Sequence, residues 1–118
     1  MVNVLTRYTP FRLKLSRKEP VQLSITLENK GNENKMISME IKLSRHLSLD
    51  KGGFRTSESK KIENLGKGAK KQFYYEIWPK QSAMKGEQPV ILTVSEHYNN
   101  FTHVAKQSVK SIPLTVET

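Results

Sequence analysis

Apolar and polar side chains alternate with a period of two along most of this chain. In the clearest run, Val21, Leu23, Ile25 and Leu27 are separated by single polar residues. Because successive side chains of an extended strand point to opposite faces, this run predicts a strand with one buried face. Helical periodicity is not sustained over any long stretch. Similar alternation occupies residues 11–15, 37–43, 71–78 and 90–94.

Turn-forming residues separate these runs. The segment NKGNEN at residues 29–34 is rich in Asn and Gly, which tolerate positive φ or form side-chain turns, so it predicts a chain reversal. Gly66, Lys67 and Gly68 predict a second turn, because a phosphate-binding loop would need a longer glycine pattern and a following helix. Pro79 ends the aromatic strand at residues 71–78, since proline cannot donate to a ladder.

The remaining segments are less regular. Residues 46–59 predict a crossing loop with one short edge strand, and residues 60–65 predict a short strand. The last strand changes parity, which indicates a bulge or bend near residues 109–111, and Pro113 indicates an edge position. Together the pattern predicts an all-β chain: an immunoglobulin-like β-sandwich of seven or eight antiparallel strands, forming one domain over residues 1–118.

The amino-acid composition excludes some kinds of chemistry and favours others. The chain has 118 residues, a formal net charge of +9 and no cysteine, which excludes disulfides and thiolate chemistry. The positive charge favours anionic partners. No apolar run is long enough for a signal-peptide core or a membrane span. We therefore expect a cytoplasmic protein as the sequence is written, or an extracellular one if the chain is excised from a longer surface protein.

Three stretches carry a family resemblance. They are VQLSITLENKGN at residues 21–32, IENLGKGAKKQFYYEIWPK at residues 62–80 and KGEQPVILTV at residues 85–94. Together they resemble CARDB-type modules, the cell-adhesion-related immunoglobulin-like domains. The resemblance implies a non-catalytic spacer or adhesive unit. Many such modules carry an acidic turn where this chain has residues 98–101, YNNF, so no calcium-like site is implied there.

Catalytic and metal-binding constellations are not recognisable in the sequence. A nucleophile needs a base beside it, and the three histidines are His46, His97 and His103. His97 and His103 flank the Asn99–Asn100 turn and could approach each other as a two-histidine metal site, but surface histidines on a hairpin are the simpler interpretation. We expect no enzyme activity, no cofactor and no metal.

Two sets of residues are candidate interaction sites. On the aromatic strand, Tyr74, Glu76 and Trp78 share the face opposite Phe73, Tyr75 and Ile77, and exposed Tyr and Trp are favoured interface anchors. The second set would bind anions if its two basic groups converge in space. It comprises Arg12, Lys14, Lys67, Lys70 and Lys71.

These sets lead to three hypotheses about function. The first is a non-catalytic binding or structural module that contacts protein, including self-association through an edge strand. The second is a nucleic-acid or polyanion binder that uses the lysine clusters. The third is a carbohydrate-binding module that uses Tyr74 and Trp78.

Overall fold

A computed structural model describes residues 2–17, 19–98 and 100–118, and strands account for most of them. A single turn of 3-10 helix covers Leu15–Arg17. The described residues contain no helix of the length and apolar character needed to cross a membrane. Eleven strands are present in the described residues: β1 (Val2–Thr9), β2 (Arg12–Lys14), β3 (Val21–Asn29), β4 (Lys35–Leu43), β5 (Leu47–Ser48), β6 (Ser57–Leu65), β7 (Lys70–Pro79), β8 (Gly86–Gln88), β9 (Val90–Tyr98), β10 (Asn100–Ser111) and β11 (Leu114–Glu117).

The strands form two principal sheets and one small one. The first sheet has the order β1-β3-β7-β5 and the second has the order β10-β9-β4-β6, with antiparallel pairing throughout. A three-stranded sheet, β2-β11-β8, lies at one end, and its β2–β11 pair is parallel. The prediction of an all-β sandwich is confirmed.

Period-two alternation determines which side chains enter the core. In β3 the odd-numbered side chains are buried and the even-numbered ones are exposed or half-buried. In β4 the buried side chains are likewise odd-numbered, whereas in β9 they are even-numbered over most of the strand, so apolar faces of both principal sheets meet in one core. The completely buried side chains include Leu23, Ile25, Leu27, Ile37, Ile41, Ile77, Val90 and Leu92.

Asn29 connects the two predicted turns at one end of the sandwich. It is fully buried, and its side-chain amide donates to the Leu65 carbonyl at 2.9 Å and to the Glu33 carbonyl at 2.7 Å. Its backbone carbonyl accepts from Gly68, whose φ of +71° suits glycine. Both turn predictions therefore agree with the structure, and a buried polar side chain with its hydrogen bonds satisfied holds the turns together.

The N-terminal region differs from the sequence-based prediction. Residues 2–9 form β1, which pairs with β3 over its whole length, although no strand was predicted there. Phe11 was placed in an alternating strand but is 69% exposed, and Leu15 lies in the 3-10 turn. The hydroxyl of Tyr8 donates to the Ile112 carbonyl and so links β1 to the segment after β10.

Three further boundaries also differ. β6 begins at Ser57, three residues earlier than predicted. The register shifts in β10 occur between Asn100 and Lys106 and the pairing is regular at residues 109–111, so no bulge lies there. The chain instead leaves this sheet directly after Ser111, which agrees with the alternative of a bend. Pro113 lies between β10 and β11, where the chain leaves one sheet for another, and a missing backbone donor costs nothing there.

Truncation of side chains on the two faces of β7 should have different effects on the free energy of unfolding. Replacing buried Ile77 with alanine should lower the free energy of unfolding by about 2–5 kcal/mol, because a cavity forms between the sheets. Replacing exposed Tyr74 with alanine should change it by about 0.5 kcal/mol or less. Urea denaturation of both variants measures the difference, and similar losses in the two would contradict the assignment of faces.

Candidate interaction surface

The predicted aromatic face is divided between two places. Tyr74 is 56% exposed on the outer face of its sheet, opposite Ser24 in the ladder, and its hydroxyl donates to Gln72 Oε1 at 3.0 Å. Glu76 is exposed further along the same face. Trp78 is half-buried at the end of β7, where it pairs with Ser48 of β5. Tyr74 therefore lies on a sheet face, whereas Trp78 belongs to an end of the sandwich.

We call that end the loop end, because residues 10–17, 44–56 and 79–89 meet there. The Lys80 amide donates to the His46 carbonyl at 2.9 Å, which joins two of these segments. Leu15 and Trp78 line a shared depression of about 440 Å³, together with Lys51 and Lys80.

The most exposed apolar side chain at the loop end is Phe54, at 86%. It lies in the loop between β5 and β6, and the backbone of that loop is closed by hydrogen bonds. The Leu49 amide donates to the Arg55 carbonyl at 2.7 Å, and the Gly53 amide donates to the Asp50 carbonyl at 3.2 Å. Phe54 is therefore presented to solvent by a loop with internal structure rather than by an irregular segment.

The carboxylate of Asp50 organises this loop. Its Oδ1 accepts hydrogen bonds from the amides of Phe54 and Arg55, each at 2.9 Å, and from the Ser48 hydroxyl. The Ser48 hydroxyl and the backbone amides together lower the pKa of Asp50 below its ordinary value of 3.8, because they favour the charged form. The one acidic group of the loop is thus engaged with the loop itself.

Two glycines shape the loop beside Phe54. A Cβ added to Gly52 would lie 3.0 Å from the Phe54 ring, so the ring packs against the bare glycine backbone. Gly53 has a φ of +82°, a conformation that L side chains rarely adopt, and an added Cβ there would lie 3.8 Å from Lys80 Cγ. The glycine pair therefore fixes the ring position and brings the stem of Lys80 alongside the loop.

Basic side chains surround this loop. The Lys51 ammonium lies 5.9 Å from the centroid of the Trp78 ring, within cation–π range. Neither Lys51 nor Lys80 forms an ion pair with any carboxylate of the described residues. These two lysines therefore carry positive charge that is not neutralised by a neighbouring acid.

The first basic group predicted from the sequence, Arg12 and Lys14, lies on the other side of the segment that contains Leu15. Arg12 and Lys14 line a depression of about 270 Å³, together with Arg17 and Phe11. Arg12 is ion-paired with Glu117 at 2.7 Å and lies 5.1 Å from the Phe11 ring centroid. Arg12 is therefore partly neutralised, whereas Lys14 and Arg17 form no ion pair within the described residues.

The second basic group predicted from the sequence, Lys67, Lys70 and Lys71, lies at the opposite end of the sandwich. Lys70 pairs with Glu28 in the ladder, whereas Thr9, three residues before Arg12, pairs with Gln22. Six strand residues separate Gln22 from Glu28, which is about 20 Å. Lys70 is also ion-paired with Glu28 at 3.6 Å. The two basic groups therefore do not converge: Lys67, Lys70 and Lys71 belong to one end, and Arg12 and Lys14 belong to the other.

Two of the three histidines contact serine side chains. His97 Nε2 lies 2.6 Å from Ser38 Oγ, and His46 Nδ1 lies 2.9 Å from Ser82 Oγ. A general base is normally oriented by an acceptor on its second nitrogen. Here His97 Nδ1 is buried without a hydrogen-bond partner among the described residues. Within those residues no group of three or more metal-ligating side chains comes together.

The edge strand β10 carries features that oppose pairing with a second chain. It is the last strand of its sheet and has β9 as its neighbour there. Lys106 and Lys110 are exposed on it, and the register shift between Val104 and Lys106 distorts its hydrogen-bonding edge. Lysines and bulges on edge strands disfavour edge-to-edge association, so the loop end is the stronger candidate for an interaction surface.

Sequence reasoning missed Phe54 and Lys51. A local signal was nevertheless present, because Asp50, Gly52 and Gly53 immediately precede Phe54, and an Asp followed by glycines is typical of a side-chain-stabilised turn. An aromatic residue directly after such a turn lies outside any alternating run, so nothing in the pattern assigns it to the core.

Comparisons with known proteins establish similarity of fold only. No protein-family model matches the chain, and no curated protein matches it. Solved structures that match this chain include a Pseudomonas fluorescens alkylpurine DNA glycosylase bound to DNA containing an abasic site analogue, and a Bacteroides uniformis β-glucuronidase. The glycosylase match covers 99% of this chain and 30% of the glycosylase, with 15% identity and a TM-score of 0.49.

The β-glucuronidase match covers 94% of this chain and 13% of the enzyme, with 15% identity and a TM-score of 0.51. The chain thus spans less than a third of the length of either protein. At this identity the likeness to the β-glucuronidase supports the fold and nothing about activity.

Removing the Asp50 carboxylate should loosen the loop without unfolding the sandwich. In the Asp50→Ala variant the amides of Phe54 and Arg55 lose their acceptor, so their hydrogen exchange should accelerate while the amides of β3 keep their protection. In the unchanged protein these amides should lose protection, relative to the intrinsic exchange rate at each pH, only as the pH falls through the lowered pKa, below 3.8. Exchange measured by NMR tests both statements, with Glu63→Ala as a control, and unchanged exchange at Phe54 and Arg55 would contradict this role.

Proposed function

We propose that this chain is a non-catalytic binding module that contacts its partner through the loop end. The observation that carries the proposal is Phe54, 86% exposed on a loop that the Asp50 carboxylate holds closed. An exposed aromatic ring on a pre-ordered loop binds with little additional loss of conformational entropy, which favours affinity.

The surroundings of Phe54 support the same proposal. Phe11 and Met84 are also strongly exposed apolar side chains in segments that meet at the loop end. Groups of exposed apolar residues with polar rims mark binding sites on soluble proteins. Lys51 and Lys80 supply that rim beside Phe54.

The immunoglobulin-like type and the CARDB-type resemblance are part of this proposal. Sheet order supports them: β1-β3-β7 faces β10-β9-β4, and each sheet joins strands that are not consecutive along the chain. This arrangement is similar to the Greek-key connections of immunoglobulin-like sandwiches. The lack of an orienting acceptor on His97 Nδ1 within the described residues supports a non-catalytic module.

Site-specific photocrosslinking tests this proposal. A photoreactive phenylalanine analogue placed at position 54 should give discrete adducts in an extract of the native source. Excess unlabelled protein should compete for these adducts, and excess Phe54→Ala protein should compete poorly. The matched control places the analogue at Tyr98, which is 67% exposed on β9 at the opposite end. Failure to crosslink from position 54, or identical adducts from both positions, would overturn the proposal.

A further inference from the structure

We propose that the partner of the loop end is single-stranded nucleic acid, with a base stacked on Phe54 and phosphates bound by Lys51 and Lys80. This inference rests on the proposed function, because it requires the loop end to be the binding surface. Proteins that bind single strands without sequence preference combine aromatic stacking platforms with a basic surface that follows the backbone. Both elements are present around Phe54.

The stacking platform is Phe54. One side of its ring packs against the backbone of Gly52, where an added Cβ would lie 3.0 Å from the ring carbons, and the side chain is otherwise open to solvent. The amides of Phe54 and Arg55 are fixed by Asp50 Oδ1. An aromatic face held in place before binding is what an unstacked base requires, since any base offers a π-face to it.

The phosphate-binding side chains lie beside the loop that carries Phe54. Lys51 extends over the Trp78 ring, and the stem of Lys80 runs next to Gly53. Asp50, the one carboxylate within the loop, is engaged by backbone amides and Ser48 and forms no ion pair with either lysine. The charges of Lys51 and Lys80 are therefore not paired with an acid of the described residues.

Further basic side chains lie across the segment that contains Leu15. Lys14 and Arg17 line the depression on the far side of that segment, whereas Leu15 lines the depression of Trp78 and Lys80. A strand that leaves Phe54 and crosses Leu15 would reach these basic groups. The sequence as a whole has a pI near 9.9, as expected for a nucleic-acid-binding domain.

The composition of the surface favours nucleic acid over protein. Lysine is depleted in protein–protein interfaces, where arginine and aromatic residues dominate, whereas the basic side chains of the depression beside the loop are Lys51 and Lys80. Lysine binds phosphate as a point charge without demanding a fixed geometry, which suits a flexible strand. A duplex keeps its bases stacked and inaccessible to a phenylalanine ring, so the inference is restricted to single strands.

The experiment measures binding of a fluorescein-labelled dT12 oligonucleotide by anisotropy, over a series of salt concentrations. Trp78 is the only tryptophan of the chain, so its fluorescence reports on the site directly. Binding of dT12 should quench Trp78. A duplex of equal length and a poly-glutamate of equal charge should bind more weakly and leave its fluorescence unchanged.

Matched variants separate stacking from general electrostatics. Phe54→Ala should weaken dT12 binding by about tenfold or more, since stacking on one base is worth about 1–3 kcal/mol and about 1.4 kcal/mol corresponds to tenfold. The double variant Lys51→Gln/Lys80→Gln should reduce the slope of log K against log salt by about 1.4, or about 0.7 per lost phosphate contact. The control Lys67→Gln/Lys71→Gln removes the same charge at the opposite end and should keep the original slope.

Three results would overturn the inference. They are no binding of dT12 at low salt, equal binding of poly-glutamate with no response from Trp78, and equal losses in the two double-lysine variants. If protein adducts form at position 54 while dT12 does not bind, the nucleic-acid inference fails and the proposed binding function stands. If neither adducts nor dT12 binding is found, both fail.

Discussion

Burial of two apolar sheet faces against each other is the constraint on which the rest of this structure depends. The odd-numbered side chains of β3 and β4 and the even-numbered ones of β9 enter one core, and with no cysteine available this burial has to stabilise the fold. Because the inner faces are fully used, residues that contact a partner must lie on the outer faces or at the ends. The ends differ: Asn29 ties two turns together at one, and longer loops meet at the other.

The loop end combines order with exposure. Asp50 satisfies backbone donors that a free loop would leave to water. Phe54 remains exposed, and Lys51 and Lys80 remain without acidic partners among the described residues. At the opposite end Lys70 is neutralised by Glu28, whereas Lys67 and Lys71 form no ion pair within the described residues. The loop end differs in presenting Phe54 on an ordered loop together with two such lysines.

Alternation of apolar and polar residues predicted most of the strands. Contacts between segments that are distant in sequence determined the features that alternation did not predict. The parity of β3 and β7 was readable because alternation involves only near neighbours, and Tyr74 was correctly placed outward. β1 was not predicted because adjacent Val4 and Leu5 break the alternation. Its hydrogen-bonded pairing with β3 is what makes this segment a strand. Whether two basic groups meet depends on the path of the chain between sheets, which composition does not encode. Phe54 follows a recognisable turn, yet its neighbour Lys80 comes from a segment 26 positions later.

The claim that the loop end is the interaction surface is tested most directly by an NMR titration of the isotope-labelled chain with unlabelled dT12. The account predicts amide shift changes concentrated in residues 50–55 and 78–83, with residues 66–71 unaffected. Changes centred on residues 66–71, or on the outer face around Tyr74, would contradict it.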